Sequence, residues 1–337
     1  MIARPTRQDW VLLLVLGVMW GTSYVWIKVA VDNGLSTFTL IAGRLGIGLA
    51  LLAAVAASRR IELPRNPRIY GHLLVMAVIN IVIPFTLITT AERQVNSNIA
   101  AIINGSVPLF VVVIAAWFLH DEPLTLNRLA GIAVGYVGVV VLVAPGLLSA
   151  GGGSSLTGEL ALVGSTLAYA FGGVYSRANM RGVPPLVPAL FQVGFAFAII
   201  TAIAFATEQP LAQPWPAQTI FAVAWLGILG SGLAYILNFR LLARIGAGGT
   251  AVLAYLLPIV GIVSGFFVRG EAVDLTLAIG TLLILGGIGL TTSKRGQRTI
   301  FGRAAAQAAA ASAATSAGAA EAATATATAP GAPPPPR

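Results

Sequence analysis

Cysteine is absent from the 337-residue chain, and histidine occurs only at His72 and His120. Without cysteine there are no disulfides, thiol nucleophiles or cysteine-based metal sites. No His, Asp and Glu fall at metal-ligand spacing and no phosphate-cradling glycine loop follows a strand, so neither a metal nor another cofactor is expected. Charge is also scarce. Only 9% of residues are Asp, Glu, Lys or Arg, against about 25% in a typical soluble domain. So few charges cannot clothe a water-facing surface, which leaves lipid as the solvent for most of the chain.

What is present is apolar: 57% of residues are hydrophobic and the mean hydropathy is +0.88. Ten segments come close to the 20 or so residues that a spanning helix needs, at 10–30, 35–57, 69–90, 98–119, 128–148, 157–176, 185–207, 220–239, 247–268 and 275–292. None alternates polar and apolar residues with period two, so the segments read as helices and not as barrel strands. The first has no clear cleavage site after it and reads as a retained helix. Beyond residue 293 a short basic patch leads into an Ala/Thr/Pro-rich tail of low complexity, which is expected to be disordered.

The formal net charge of +9 does not point to nucleic acid, because the basic residues sit in short runs between apolar segments. They read as topology signals. With the N-terminus inside, fifteen of the twenty Lys and Arg lie in cytoplasmic segments, and only Lys28, Arg93 and Arg269 lie outside. Both termini are therefore expected in the cytoplasm, with the 151–155 loop outside.

The chain repeats itself at an offset of about 150 residues. Pro108 matches Pro258, Glu122 matches Glu271, Gly131 and Gly138 match Gly280 and Gly287, and Trp20, Trp26 and Lys28 match Tyr169, Tyr175 and Arg177. The organisation expected is a first repeat over 1–149, a second over 150–292 and a tail over 293–337. Each repeat carries five helices. An odd number inverts the second repeat relative to the first, an architecture common among transporters.

Taken together, these motifs resemble the drug/metabolite transporter superfamily and its EamA-like branch of ten-helix exporters. The resemblance covers about residues 10–292. It rests on Trp20-Gly21-Thr22-Ser23-Tyr24 with Lys28, on Arg44, on Pro108 with Glu122, on Gly158-Glu159, and on Pro258 with Glu271. Tyr169 and Phe171 depart from the Trp-Ala usual in the sixth helix. The resemblance implies efflux of small metabolites, often amino acids, across the plasma membrane.

The candidate substrate-binding residues are Trp20, Tyr24, Arg44, Asn80, Tyr169, Tyr175, Gln192, Tyr235 and Asn238. Trp20 and Tyr24 share one stripe of the first helix with Lys28; the competing reading makes Trp20 and Lys28 interface anchors. Arg44 lies deep in the second segment, where a cation is costly and marks function or a buried partner. Its structural alternative is pairing with Asp32 or Glu92. Asn80, Asn104, Gln192 and Asn238 could bind substrate or make interhelical hydrogen bonds. Pro84, Pro108 and Pro258 are candidate kinks for gating. Gly131, Gly135, Gly138, Gly280, Gly286 and Gly287 read as close-packing surfaces without a ligand role. No acid falls well inside a segment, which disfavours proton-coupled export of lipophilic cations.

The reading is a secondary transporter, not an enzyme, that exports a small polar metabolite, an amino acid or a related compound, by alternating access. Its partners are that small molecule and membrane lipid, with no nucleic acid and no oligomeric state implied. Uptake is the nearest alternative. A lipid-handling protein or membrane enzyme would need convergent His, Asp and Glu groups, which the sequence does not supply.

Overall fold

A computed structural model of the protein describes residues 6–118, 126–148, 154–180, 182–250 and 252–293. Every regular element among them is helical. The chain begins with α1 (Arg7–Gly21) and α2 (Ser23–Asp32), one rod broken at Thr22, followed by α3 (Thr37–Ser58). A third rod is α4 (Pro67–Ala77) and α5 (Ile83–Ala91), joined by a π-helical turn at Val78–Val82. α6 (Ser97–Gly105) and α7 (Val107–Phe118) meet at Ser106, ahead of α8 (Leu126–Leu148) and α9 (Ser154–Asn179). α10 (Leu186–Thr207) precedes α11 (Ala217–Trp225), which continues through a π-helical stretch, Leu226–Leu233, into α12 (Ala234–Thr250). α13 (Leu253–Ser264) ends in a π-helical Gly265–Arg269, and α14 (Leu275–Thr292) closes the described chain.

Among the described residues, seven rods are long and apolar enough to cross a membrane, and Leu253–Arg269 and Leu275–Thr291 are shorter apolar helices. α9 has 26 residues, about 39 Å at the α-helical rise. The protein is thus a multi-pass membrane protein. One boundary differs clearly from expectation. The eighth segment continues past 239 to Gly246, where a backbone φ of 71° ends regular geometry. Arg240 and Arg244 therefore sit on α12 and not in a loop; Arg244 reaches back to Asp9 of α1 at 3.3 Å.

Packing follows a regular scheme. α3 lies on α10, α6 on α13 and α8 on α14, while α1 and α2 pack on α11 to α13 and α9 packs on α5 to α7. The α8–α14 contact is backbone on backbone. A Cβ on Gly131 would fall 2.5 Å from the Gly287 carbonyl oxygen, one on Gly287 2.6 Å from that of Gly131, and one on Gly138 2.8 Å from that of Gly280. Gly135 faces Leu109 and the Gly287 backbone. Gly286 corrects the expectation: nothing lies within 4 Å of its Cβ position, because it is one residue off the packed face.

Two acids from the second half of the chain cap helices of the first. Glu208 accepts from the Phe38 and Thr39 amides at 3.0 and 2.7 Å, at the start of α3. Glu271 takes the Ser97 amide at 2.9 Å and its hydroxyl at 2.8 Å on one oxygen, and the Asn98 amide at 2.9 Å on the other. A carboxylate on the first amides of α6 satisfies donors that the helix cannot. Glu271→Gln is expected to lower stability by about 1–2 kcal/mol, in the range of lost caps and charged hydrogen bonds. An unchanged melting temperature in detergent would show that the cap contributes little. Glu122, its repeat partner, lies outside the described residues, as do residues 294–337.

Candidate functional site

Arg44 stands seven residues into α3 and is only 3% exposed. Its Nε donates to the Ser231 hydroxyl at 3.1 Å, and its Cζ lies 4.2 Å from the centroid of the Phe85 ring. Such a cation–π contact contributes about 0.5–2 kcal/mol, less than the charge loses in leaving water. No carboxylate pairs with Arg44 among the described residues. The structural alternative raised by the sequence, an ion pair with Asp32 or Glu92, is not formed. Asp32 is held instead by Lys28 at 3.2 Å and by Arg269.

The Leu226–Leu233 π stretch brings Ser231 to the guanidinium. A π turn shifts the helix's hydrogen-bond ladder and leaves carbonyls open to side chains. The Gly230 carbonyl of this stretch accepts from Trp20 Nε1 at 3.2 Å. A Cβ at residue 230 would sit 3.3 Å from Arg44 Nη2 and 3.1 Å from the Ser23 hydroxyl, so a larger residue there would crowd the guanidinium.

Aromatic side chains surround this cation. Trp20 meets Tyr235 edge to face, with centroids 6.2 Å apart. Tyr24 and Tyr235 are 7% and 8% exposed, Tyr169 is half-buried, and all three lie within electrostatic reach of Arg44. Trp20 therefore points inward, against its reading as an interface anchor. Lys28 does sit at a helix end, donating to the Glu92 backbone carbonyl at 2.7 Å.

Other candidates are placed differently. Asn80, on the Val78–Val82 π turn, donates to Gln192 Oε1 at 3.2 Å, and Gln192 donates to the Pro188 carbonyl at 3.0 Å. The pair ties that turn to α10, beside Gly172 of α9. Asn104 likewise accepts from Ser165 at 2.9 Å. Asn238 is half-buried one turn beyond Tyr235. Tyr175 is not brought to Arg44. Its hydroxyl is 2.7 Å from His72 Nδ1, against a separate cluster around Leu73, Met76 and Val187. Of the prolines, Pro84 follows the Val78–Val82 π turn, Pro108 follows the break at Ser106, and Pro258 lies inside an unbroken stretch of α13.

Arg44, Tyr24 and Tyr235 are buried, while Trp20 and Tyr169 are half-buried. Grooves of about 500 Å³ beside Trp26, Phe221 and Arg269, and of about 410 Å³ beside Arg7 and Arg240, lie away from this cluster. Sequence reasoning missed Phe85, Ser231 and Gly230. The glycines at 227, 230 and 232, in the middle of an apolar segment, were the available signal.

A sequence model described as the EamA-like transporter family matches residues 9–144 and again 156–293. The chain is 27% identical over 290 residues to an uncharacterized transporter, YvbV, of Bacillus subtilis, covering 86% of this chain and 93% of that one. It is 28% identical over 278 residues to an uncharacterized inner membrane transporter, YedA, of Escherichia coli K12, covering 80% and 87%. A Salmonella typhimurium protein named as a probable amino-acid metabolite efflux pump is 25% identical over 295 residues, covering 84% and 94%. A solved crystal structure shares the fold at a TM-score of 0.63 and 24% identity, covering 86% of this chain and 97% of that one.

Proposed function

The chain belongs to the EamA-like transporter family, and from that premise we propose that it exports a small polar metabolite bearing a carboxylate, an amino acid or a related compound, by alternating access around Arg44. The observation that carries this reading is a buried guanidinium with one described protein hydrogen bond, to Ser231, and no carboxylate. A substrate carboxylate fits its bidentate fork, and Trp20, Tyr24, Tyr169 and Tyr235 supply amphipathic walls. Asn80, Gln192 and Asn238 are proposed as the polar margin of the same site. The name of the Salmonella relative supports the substrate class. In liposomes, the purified protein should exchange radiolabelled amino acids saturably; flux that never saturates would favour a channel.

Ten membrane-crossing rods in two inverted repeats, 1–149 and 150–292, give the alternating device. The twofold family match and the packing scheme support it. Exchanging each rod for its repeat partner turns the contact of the first rod with α11–α12 into that of α9 with α4–α5. The α3–α10, α6–α13 and α8–α14 contacts map onto themselves.

Both termini are proposed to be cytoplasmic, from the charge asymmetry. Single cysteines at Ser154 and Arg65 test this against no native thiol background. An impermeant reagent applied to intact cells should label position 154 and not 65. The opposite pattern would invert the orientation.

A further inference from the structure

The two halves are stitched together at the face where α2, α5, α10 and the π-helical end of α13 finish. Arg269 pairs with Asp32, Glu208 and Glu271 cap α3 and α6, and Gln213 Oε1 accepts from the Ser36 amide and hydroxyl at 3.3 and 3.0 Å. Glu92, the first residue after α5, lies in the middle of this seam. It is fully buried, at 0% exposure, and neither carboxylate oxygen has a hydrogen-bond partner. The neighbouring cations are occupied elsewhere. Lys28 Nζ is on the Glu92 backbone carbonyl at 2.7 Å and on Asp32 at 3.2 Å. Arg93 is turned to the Leu35 carbonyl at 2.7 Å and the Thr37 hydroxyl at 3.3 Å.

The groups facing Glu92 come from every element packed around it. They are Tyr24, Lys28 and Asp32 of the first rod, Arg44 of α3, and Glu271 after α13. α9, packed alongside α5, carries the titratable groups Glu159 and Tyr169. The two cations are offset by the acids Asp32 and Glu271, so an ionised Glu92 would be a buried charge with no partner of its own. Burial, and then the nearby Glu271 charge, hold its carboxyl well above the ordinary range against the pull of Lys28.

We propose that Glu92 is a proton-binding site, filled while this face is closed and emptied when it opens, so that each opening towards that side releases one proton. This rests on the alternating-access reading above. On opening, the carboxyl O–H bond breaks, the proton passes to an entering water, and the electron pair stays on the carboxylate. The ammonium of Lys28, already on the carbonyl of the same residue, is the partner within reach of the new charge. The sign follows from the raised carboxyl. The closed face is fully favoured below the ordinary carboxyl range of pH, and that preference is lost as pH rises from there to the higher value of the buried group. One linked proton changes the open-to-closed ratio by up to about tenfold per pH unit across that window.

The test uses the full-length purified protein without substrate, so its failure and a failure of the flux experiments are separable. Spin labels on Asn96→Cys and Leu211→Cys, both exposed at this face on opposite halves, report the gap between the halves. With Glu92 present, the distance distribution should gain a longer component as pH rises. With Glu92→Gln, neutral at every pH, it should stay short throughout. Infrared spectra of the parent protein give a readout that needs no variant at residue 92. A buried protonated carboxyl band should persist at a pH where exposed carboxyls are ionised, and should disappear as the longer distances appear. A parent protein that does not respond to pH, a Glu92→Gln protein that opens with the parental pH profile, or absence of that band would overturn the proposal.

Discussion

Arg44→Gln is expected to reach the membrane in normal amounts and to raise the half-saturating substrate concentration by about ten- to a hundredfold. A hydrogen bond to a charged group contributes about 1.5–3 kcal/mol, and each 1.4 kcal/mol or so is a factor of ten in affinity. Normal abundance is expected because translocon scales put an arginine at a helix centre at about +2.5 to +3.5 kcal/mol, so the substitution removes a cost. It gives up the bond to Ser231 and the contact with Phe85, which offsets part of that relief. Arg44→Lys should fall between the two, since it keeps the charge and loses the planar fork. Asp32→Asn should leave the affinity unchanged, because Asp32 is engaged by Lys28 and Arg269. A folded Arg44→Gln protein that transports with parental affinity would remove the binding role.

Gly287→Ala should be strongly destabilising for a single added methyl. The added carbon would fall 2.6 Å from the Gly131 carbonyl oxygen and from the Gly135 backbone nitrogen. Neither can swing aside as a side chain would, so α8 and α14 have to separate. Overpacking of this kind costs about 1–3 kcal/mol or more. Gly286→Ala, one position away, meets nothing within 4 Å and should be neutral or stabilising by up to about 1 kcal/mol, since alanine favours helix over glycine. Melting temperatures of the two variants in the same detergent make the comparison. Equal shifts would mean that the α8–α14 contact is looser than the structure has it.

The apolar segments and the depth of Arg44 could be read directly, because lipid imposes length and hydropathy on any crossing helix. The π turns could not. Gly227-Ile-Leu-Gly-Ser-Gly-Leu233 has the composition of an ordinary apolar helix, and its widened geometry is bound up with a tertiary bond from Trp20, 210 residues away. Repeat matching marked Glu271 without showing its role, since the amides that it caps are 173 and 174 residues distant. The burial of Glu92 could not be read from its place just past a helix end, because it depends on neighbours from distant parts of the chain. Spacing placed Gly286 in the packed stripe because a one-residue difference in helix phase is too fine for a pattern of small residues to resolve.

The most direct test of the export reading is counterflow in liposomes loaded with one amino acid and supplied outside with its radiolabelled form, repeated with the amine obtained by removing the carboxylate. The account expects saturable uptake of at least one amino acid, and at least tenfold weaker competition by its decarboxylated amine. If the amine competes as well as the parent amino acid, or if only cationic compounds exchange, then Arg44 does not hold a substrate carboxylate and the proposed site is wrong.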